Sequence, residues 1–539
     1  MLRYPAMPGQ AGSLSSTITL ADDGREGYLS RMKEIRRILV ANRGEIAVRI
    51  IRACRDLDIE AVAVYSDVDR EALHVRLANR AYRLGPAAAS ESYLRTDRLI
   101  SIAIESGADA VHPGYGFLAE TPDFARAVDD AGLTFIGPRP EVMAAVGDKN
   151  RAREIAREVG VPTVPGSPGP VESADAALAI AEQLGYPVML KAVAGGGGKG
   201  MRQVGDPDEM GSAFRAAASE AASSFGNEHV YLEKTILQPR HIEIQVLCDE
   251  HGNRIHLGER ECSLQRRHQK VVEEAPSPAL DDDLRNRMGE AALAIAARAD
   301  YTNAGTVEFL LDTEGRFYFI EVNARLQVEH AVTEMVTGID LVTAQIAIAG
   351  GQELPWKQSD VRVRGHAIEC RIYAEDPSNN FAPAPGLIEG LRVPGGPGVR
   401  DDSALYEGYK VPIFYDPMIS KLIVWGPDRP VALNRMQRAL QEYKIVGIST
   451  TIPLFQQIMQ DPAFVEGTFD TGYLDRLLGD SVPLGPPHKR HPELVEIAAI
   501  SAALHTFRRE EARAFQLRSS ESTGWKVAGR ERGLRGLPR

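Results

Sequence analysis
Apolar residues fall along the first part of the chain in short runs divided by stretches of helical spacing. Arg37 to Ala41 (RILVA) is the first run, and beyond a turn at Asn42-Arg43-Gly44 the residues Ile46, Ala47, Ile50, Ile51 and Cys54 recur at helical spacing. Ile59 to Tyr65, Ala108 to His112 and Leu133 to Ile136 read as further strands. Strand and helix patterns that alternate in this way predict βαβ units in a parallel sheet. Farther on the pattern changes. Proline and glycine cluster from Gly160 to Pro170, which marks a linker into a small unit with a strand at Tyr186 to Ala192, a helix at Met210 to Ser223 and a strand at Val230 to Lys234. From Ile236 to about Leu478, period-two runs such as HIEIQVL, TVEFLL, RFYFIEV and HAIECRIYA predict a mainly antiparallel sheet with helices attached.

The two ends carry weaker signals. Met1 to Arg31 is rich in Gly, Ser, Thr and Asp, shows no periodicity and is expected to be disordered, with Met32 a candidate start of translation. Pro483 to Pro492 reads as a second linker and Leu494 to Leu517 as an amphipathic helix. A chain of 539 residues exceeds what one core organises, so an α/β and α+β multidomain protein with clefts between subdomains is expected.

Composition serves mainly to exclude. A net charge of -12 argues against a nucleic-acid partner. Cys54, Cys248, Cys262 and Cys370 lie far apart without a CxxC pair, which suggests neither a disulfide framework nor structural zinc. No apolar stretch reaches the ~20 residues a membrane helix needs, and no signal-peptide segment opens the chain, so a cytoplasmic location away from membranes is expected.

Chemistry concentrates in three segments. Lys191 to Met201 (KAVAGGGGKGM) follows a strand, and consecutive glycines let backbone N–H groups approach a phosphate. It is no P-loop, because Gly200 follows Lys199 where Ser or Thr is needed. The GxGxxG spacing it contains leads into strand and turn rather than the helix of a dinucleotide fold. A glycine-rich hairpin loop over phosphates remains, against the plainer reading of a flexible linker. In Thr306 to Arg325, two strand patterns about a turn near Thr313 to Arg316 place Glu308 opposite Glu321, with Asn323 farther along the same face. Facing carboxylates repel unless a cation lies between them, and oxygen donors suit Mg²⁺ or Mn²⁺. The plainer alternative, two solvated carboxylates, fits poorly beside Phe317 and Phe319. Glu261 to Glu274 gathers Arg266, Arg267, His268 and Lys270; a basic patch for nucleic acid or nuclear import is the rival to a phosphate site.

Taken in order, ILVANRGEIAVRI, HPGYGFLAE, KAVAGGGGKGM, ECSLQRRHQKVVEEAP, EVNARLQVEH and GHAIECRIYAEDP resemble the biotin carboxylase family, an ATP-grasp family, from about Lys33 to Leu478. The resemblance implies a Rossmann-like N-terminal domain at 32–145, an ATP-grasp domain at 146–350 with a lid at about 164–235, a C-terminal domain at 351–478, and a linker, helix and tail at 479–539. It implies that ATP and a divalent metal phosphorylate bicarbonate to carboxyphosphate, and that biotin on a carrier protein is then carboxylated at N1. By the same resemblance Lys149, Lys191, Gly196, Gly197, Gly198 and His268 contact phosphates, while Met201, Glu233, Lys234, Ile236, His241 and Gln265 complete the nucleotide site. Glu308, Glu321 and Asn323 hold metal. Lys270 stands near the γ-phosphate, Arg325, Gln327, Val328 and Glu329 form the bicarbonate pocket with Glu329 as general base, Arg371 stabilises the biotin enolate, and Tyr115 lies near the biotin ring.

Arg49 and Arg52, on the exposed side of the first helix, face a homodimer partner in this reading, with a solvated helix face the plainer alternative. No Met-Lys-Met biotinylation signature occurs, so the carrier and the carboxyltransferase are expected on separate polypeptides, with acetyl-CoA the default acceptor and propionyl-CoA or pyruvate alternatives. The tail is expected either to dock on another polypeptide of the complex or to pack on its own domain. Rival readings are another ATP-grasp ligase joining a carboxylate to an amine, and a nucleotide-sensing or scaffolding protein that has lost its chemistry.

Overall fold
The computed structural model describes residues 35–193, 201–267 and 269–479, together with Ser501 and Ala503. The chain divides into two compact units, Met1–Val482 and Pro483–Arg539. Expectations for residues 1–31, for the glycines 196–198, for His268 and for the linker and helix of the tail lie outside the described residues.

Strands β1 (Arg37–Val40), β2 (Glu60–Ser66), β3 (Arg80–Gly85), β4 (Ala110–His112) and β5 (Thr134–Phe135) form a parallel sheet in the order β3-β2-β1-β4-β5. The turn after β1 opens the helix Gly44–Asp56. Asn42 in that turn donates its amide to the carbonyls of Pro113 (2.7 Å) and Tyr115 (2.8 Å), which locks it to the HPGYG segment after β4. Gly114 has φ +64°, and a Cβ there would fall 3.1 Å from the Asn42 amide nitrogen, so glycine is required. Both segments lie at the carboxyl ends of the strands, where open parallel sheets bind ligands.

The small unit contains β6 (Val188–Ala192), β7 (Met201–Val204) and β8 (Val230–Lys234) in the order β7-β6-β8. It has its own apolar core, built from Ala177, Leu190, Met210, Ala217 and Leu232 among others. One of its helices, Ala174–Leu184, went unforeseen in the sequence; Ser173 caps it by accepting from the Ala176 N–H. The stretch read as a linker is pinned on both sides: Ser167 N donates to Leu232 O (2.8 Å) and Phe319 N donates to Pro162 O (2.8 Å).

Strands β9 (Arg240–Cys248), β10 (Arg254–Arg266), β11 (Gln269–Ala275), β12 (Asn303–Leu311), β13 (Phe317–Asn323) and β14 (His366–Tyr373) join Val399–Ser403 and Met418–Gly426 in one antiparallel sheet. Its pairing runs unbroken from β11 into β14, with Glu273 opposite Glu369, so this sheet continues past residue 350 into the following segment. Between β12 and β13 the register changes. Phe309 pairs with Phe319, but a bulge then sets Glu308 opposite Glu321. A regular ladder would place Ile320 there and turn Glu321 to the other face; the bulge brings the two carboxylates together.

The structure corrects the expectation for Arg49. Only 7% exposed, it pairs with Glu334 (2.9 Å) and Asp340 (2.7 Å), because the helix Gly44–Asp56 is covered on that side; Arg52 alone of the two is exposed. Arg49→Leu is expected to lower stability in urea unfolding by about 2–3 kcal/mol, less than a fully orphaned buried pair loses, because Arg400 still pairs with Glu334. Unchanged stability with a smaller oligomer would instead return Arg49 to an interface between protomers.

Candidate active site
Two cavities meet at one wall. The first, about 460 Å³, lies under the small unit and is lined by Lys191, Met201, Glu233, His241, Gln265, Lys270, Glu308, Glu321, Asn323 and Gln327. The second, about 540 Å³, opens at the carboxyl ends of the parallel strands and is lined by Arg43, Tyr115, Phe117, Tyr373 and Phe414. Gln269, Arg325, Val328 and Arg371 line both. Lys149 lines an adjoining cavity of about 570 Å³, which shares Arg153 with the first. Lys234 donates instead to the carbonyls of Gly185 (2.7 Å) and Tyr186 (3.2 Å) within the small unit, and Ile236 lines none of the three cavities.

Lys270 is the hub of the first cavity. Its ammonium contacts Glu243 (2.6 Å), Glu308 (2.9 Å) and Glu329 (2.8 Å). Burial disfavours its charge, but Glu243, Glu308 and Glu329 outweigh that and push its pKa well up, so it stays cationic. Glu243 is itself gripped by the fully buried Arg260, which also donates to Gln245 (2.7 Å), Thr333 (3.0 Å) and Thr306 (3.0 Å). Sequence reasoning passed over Glu243 and Arg260, since each sits in a strand run whose only signal is alternation.

Glu308 also accepts from the Asn323 amide (2.8 Å), and His241 Nε2 stands 2.8 Å away without hydrogen-bond alignment. Burial would raise its pKa, yet Lys270 and then His241 hold it far below the usual carboxylate range. Opposite it, Glu321 is raised, first by burial and then by the charge of Glu308. A buried carboxylate, a half-buried one and an amide oxygen, all hard donors with one carboxylate unwilling to ionise alone, fit a divalent cation of the Mg²⁺ or Mn²⁺ type.

At the shared wall, Arg325 donates to Glu120 (2.8 Å) and Gln327 (2.9 Å). Glu120, in the segment after β4, was also missed; it stands 205 residues from Arg325 in the chain, which leaves no local pattern to read. Arg371 donates to Glu329 (2.8 Å), and its Nη2 lies 2.5 Å from Glu273 without the alignment of a hydrogen bond. Burial pushes Glu273 up to about 7 against the pull of Arg371. For Glu329 burial is overcome by Lys270, Arg371 and Arg260, which hold it ionised. An anion that drew Lys270 or Arg371 toward itself would loosen that hold and raise the affinity of Glu329 for a proton.

Among the described residues, no single helix is long and apolar enough to cross a membrane, and all four cysteines are buried and unpaired.

The sequence matches the family models for the biotin carboxylase N-terminal domain (residues 34–143), the ATP-binding domain of the carbamoyl-phosphate synthase L chain (148–357) and the biotin carboxylase C-terminal domain (369–476). It is 56% identical over 441 residues to a biotin carboxylase of Nostoc sp., covering 82% of this chain and 99% of that one. It is 52% identical to a pyruvate carboxylase subunit of Methanothermobacter thermautotrophicus, over 87% of this chain and 98% of the other. Among solved structures it resembles the biotin carboxylase domain dimer of Hydrogenobacter thermophilus 2-oxoglutarate carboxylase, in complex with MgADP, ADP and bicarbonate, with TM-score 0.78, 49% identity, and coverage of 82% and 97%. Three successive domain matches, relatives at about half identity along nearly their whole length, and two cavities joined at one basic wall agree: this chain belongs to the biotin carboxylase family.

Proposed function
We propose that this chain uses ATP and bicarbonate to carboxylate biotin held on a carrier protein, the first half-reaction of an acyl-CoA carboxylase, with acetyl-CoA the default final acceptor. The observation that carries this reading is the shared wall: Arg325, Val328 and Arg371 face both a cavity of nucleotide-binding character and one with aromatic walls. An intermediate made on one side has only this wall to pass to meet the acceptor on the other.

ATP would lie in the first cavity under the small unit, with Lys191 and Lys270 toward its phosphates. Glu308, Glu321 and Asn323 would hold Mg²⁺ or Mn²⁺, which when bound neutralises phosphate charge. Arg325 pairs with bicarbonate, while Glu329 takes its proton so that a bicarbonate oxygen can displace ADP from the γ-phosphorus. The carboxyphosphate so formed breaks into CO₂ and phosphate. Biotin, beside Tyr115, gives its N1 proton to the phosphate just released, and the resulting enolate, steadied by Arg371, attacks CO₂ through N1.

The pyruvate carboxylase relative supports a second reading in which pyruvate is the final acceptor. We further propose a homodimer in the cytoplasm that works with a carboxyltransferase. The test is ATP hydrolysis by the purified protein with Mg²⁺, scanning bicarbonate and free biotin. Turnover is expected to require bicarbonate and to rise with biotin; turnover indifferent to both would move the chain to another ATP-grasp chemistry.

A further inference from the structure
Directly opposite Arg371 in the sheet, on the strand Met418–Gly426, stands Lys421. Residues facing each other across a ladder share a face, so these two cations lie side by side beneath the site. Lys421 is fully buried, and its ammonium donates to the carbonyl of Val328 at 2.7 Å. It also lies 5.7 Å from the centre of the Tyr115 ring.

Val328 belongs to the wall between the cavities and leads into Glu329, the N-cap of the helix His330–Thr337. The carbonyls on either side of it serve that helix: Gln327 O accepts from His330 N and Glu329 O from Val332 N, each at 3.3 Å. The Val328 carbonyl is taken by Lys421. Thus one side chain from a distant strand fixes the peptide between the bicarbonate-pocket residues and the base.

Neutralising neighbours alone would explain a buried lysine less well. Glu45 and Asp402 stand 3.6 and 3.9 Å from its ammonium, too far for short ion pairs, and both carboxylate oxygens of Glu369 are buried without a hydrogen-bond partner among the described residues. Against burial, and with Arg400 opposing them, these acids keep Lys421 charged, while its one short contact among the described residues is the Val328 carbonyl. A neutral donor would satisfy a lone carbonyl at lower desolvation cost. A charge kept here has a use in a pocket for an anion.

We propose that Lys421 is a positioning residue of the bicarbonate pocket: it holds the Val328 backbone in place and sets a second buried cation behind Arg371. This rests on the assignment of Arg325 to Glu329 to bicarbonate. The test is steady-state ATP turnover in Lys421→Met and Lys421→Arg, with Arg325→Ala as control.

Lys421→Met is expected to raise the KM for bicarbonate tenfold or more while the KM for ATP stays within twofold, and Lys421→Arg to recover most of that loss. An unchanged bicarbonate KM, or an equal rise in both constants, would overturn the proposal. Should Lys421→Met not fold, Lys421→Gln decides: it keeps a donor and loses the charge, so a several-fold rise in bicarbonate KM is expected and none would overturn it. If Arg325→Ala leaves bicarbonate KM untouched, the pocket assignment itself fails; if only the Lys421 variants do, the assignment stands and the role of Lys421 falls.

Discussion
Arg371→Ala is expected to lower biotin-dependent ATP turnover by about 10²–10³-fold, the loss typical of removing a fixed donor at a developing negative charge. Nucleotide affinity should change little, since Lys191 and Lys270 reach the first cavity independently. Two effects combine. The enolate loses its cation, and Glu329 loses one of the two short ionic partners that keep it ionised. Glu273, already pushed up to about 7 by burial, then faces Glu329 without the guanidinium between them. Removing a cation raises the pKa of a neighbouring carboxylate, so the acid limb of the variant's pH–rate profile should move to higher pH. Arg371→Lys restores charge but not the planar guanidinium whose Nη2 reaches both Glu329 and Glu273, and should recover turnover only in part. A variant that keeps turnover within tenfold, with an unmoved acid limb, would show that Arg371 touches neither the base nor the acceptor.

Elements with local periodicity were legible in the sequence. The βαβ start, the strand Val230–Lys234 and the helix beginning at Met210 come from spacing that packing reinforces. The facing pair Glu308 and Glu321 was legible too, although the bulge that makes it true is a detail of register that no composition shows. What stayed hidden depends on contacts far apart in the chain. Arg49 on an amphipathic helix looks solvated until Glu334, 285 residues away, is folded against it. Glu243, Arg260, Glu369 and Lys421 read as the polar half of alternating strands, yet all are buried, because the large sheet is covered on the face that carries them. Charged residues in such a strand reveal their role only with the partner strands in place. The motif resemblance reached Arg325, Glu329 and Arg371 by another route, but it left out the groups that hold them: Glu120, Glu273 and the lysine behind Val328.

Glu321→Gln is expected to reduce Mg²⁺-dependent ATP turnover by about 10³-fold while leaving the metal-free protein as stable as the parent or slightly more so. The loss follows from the phosphoryl-transfer chemistry, in which a metal clamp on the phosphates supplies several kcal/mol of charge stabilisation. The stability claim follows from the site. Burial and the facing Glu308 both raise the pKa of Glu321, so its ionised form works against the fold unless a cation is bound. The sign is then fixed. The folded chain keeps this proton at pH values where the unfolded chain, with a carboxyl near pKa ~4.3, has lost it, so metal-free stability declines as pH rises from that value through the folded pKa. An isosteric amide removes that decline, and added Mg²⁺ should raise the melting temperature of the parent but not of the variant. The corresponding change at Glu308 should differ: its carboxylate is held ionised by Lys270 and His241, so Glu308→Gln should cost stability as well as turnover. Turnover within tenfold of the parent in Glu321→Gln, or a Mg²⁺-dependent rise in its melting temperature equal to the parent's, would place the divalent ion on other residues and leave the facing carboxylates a structural pair.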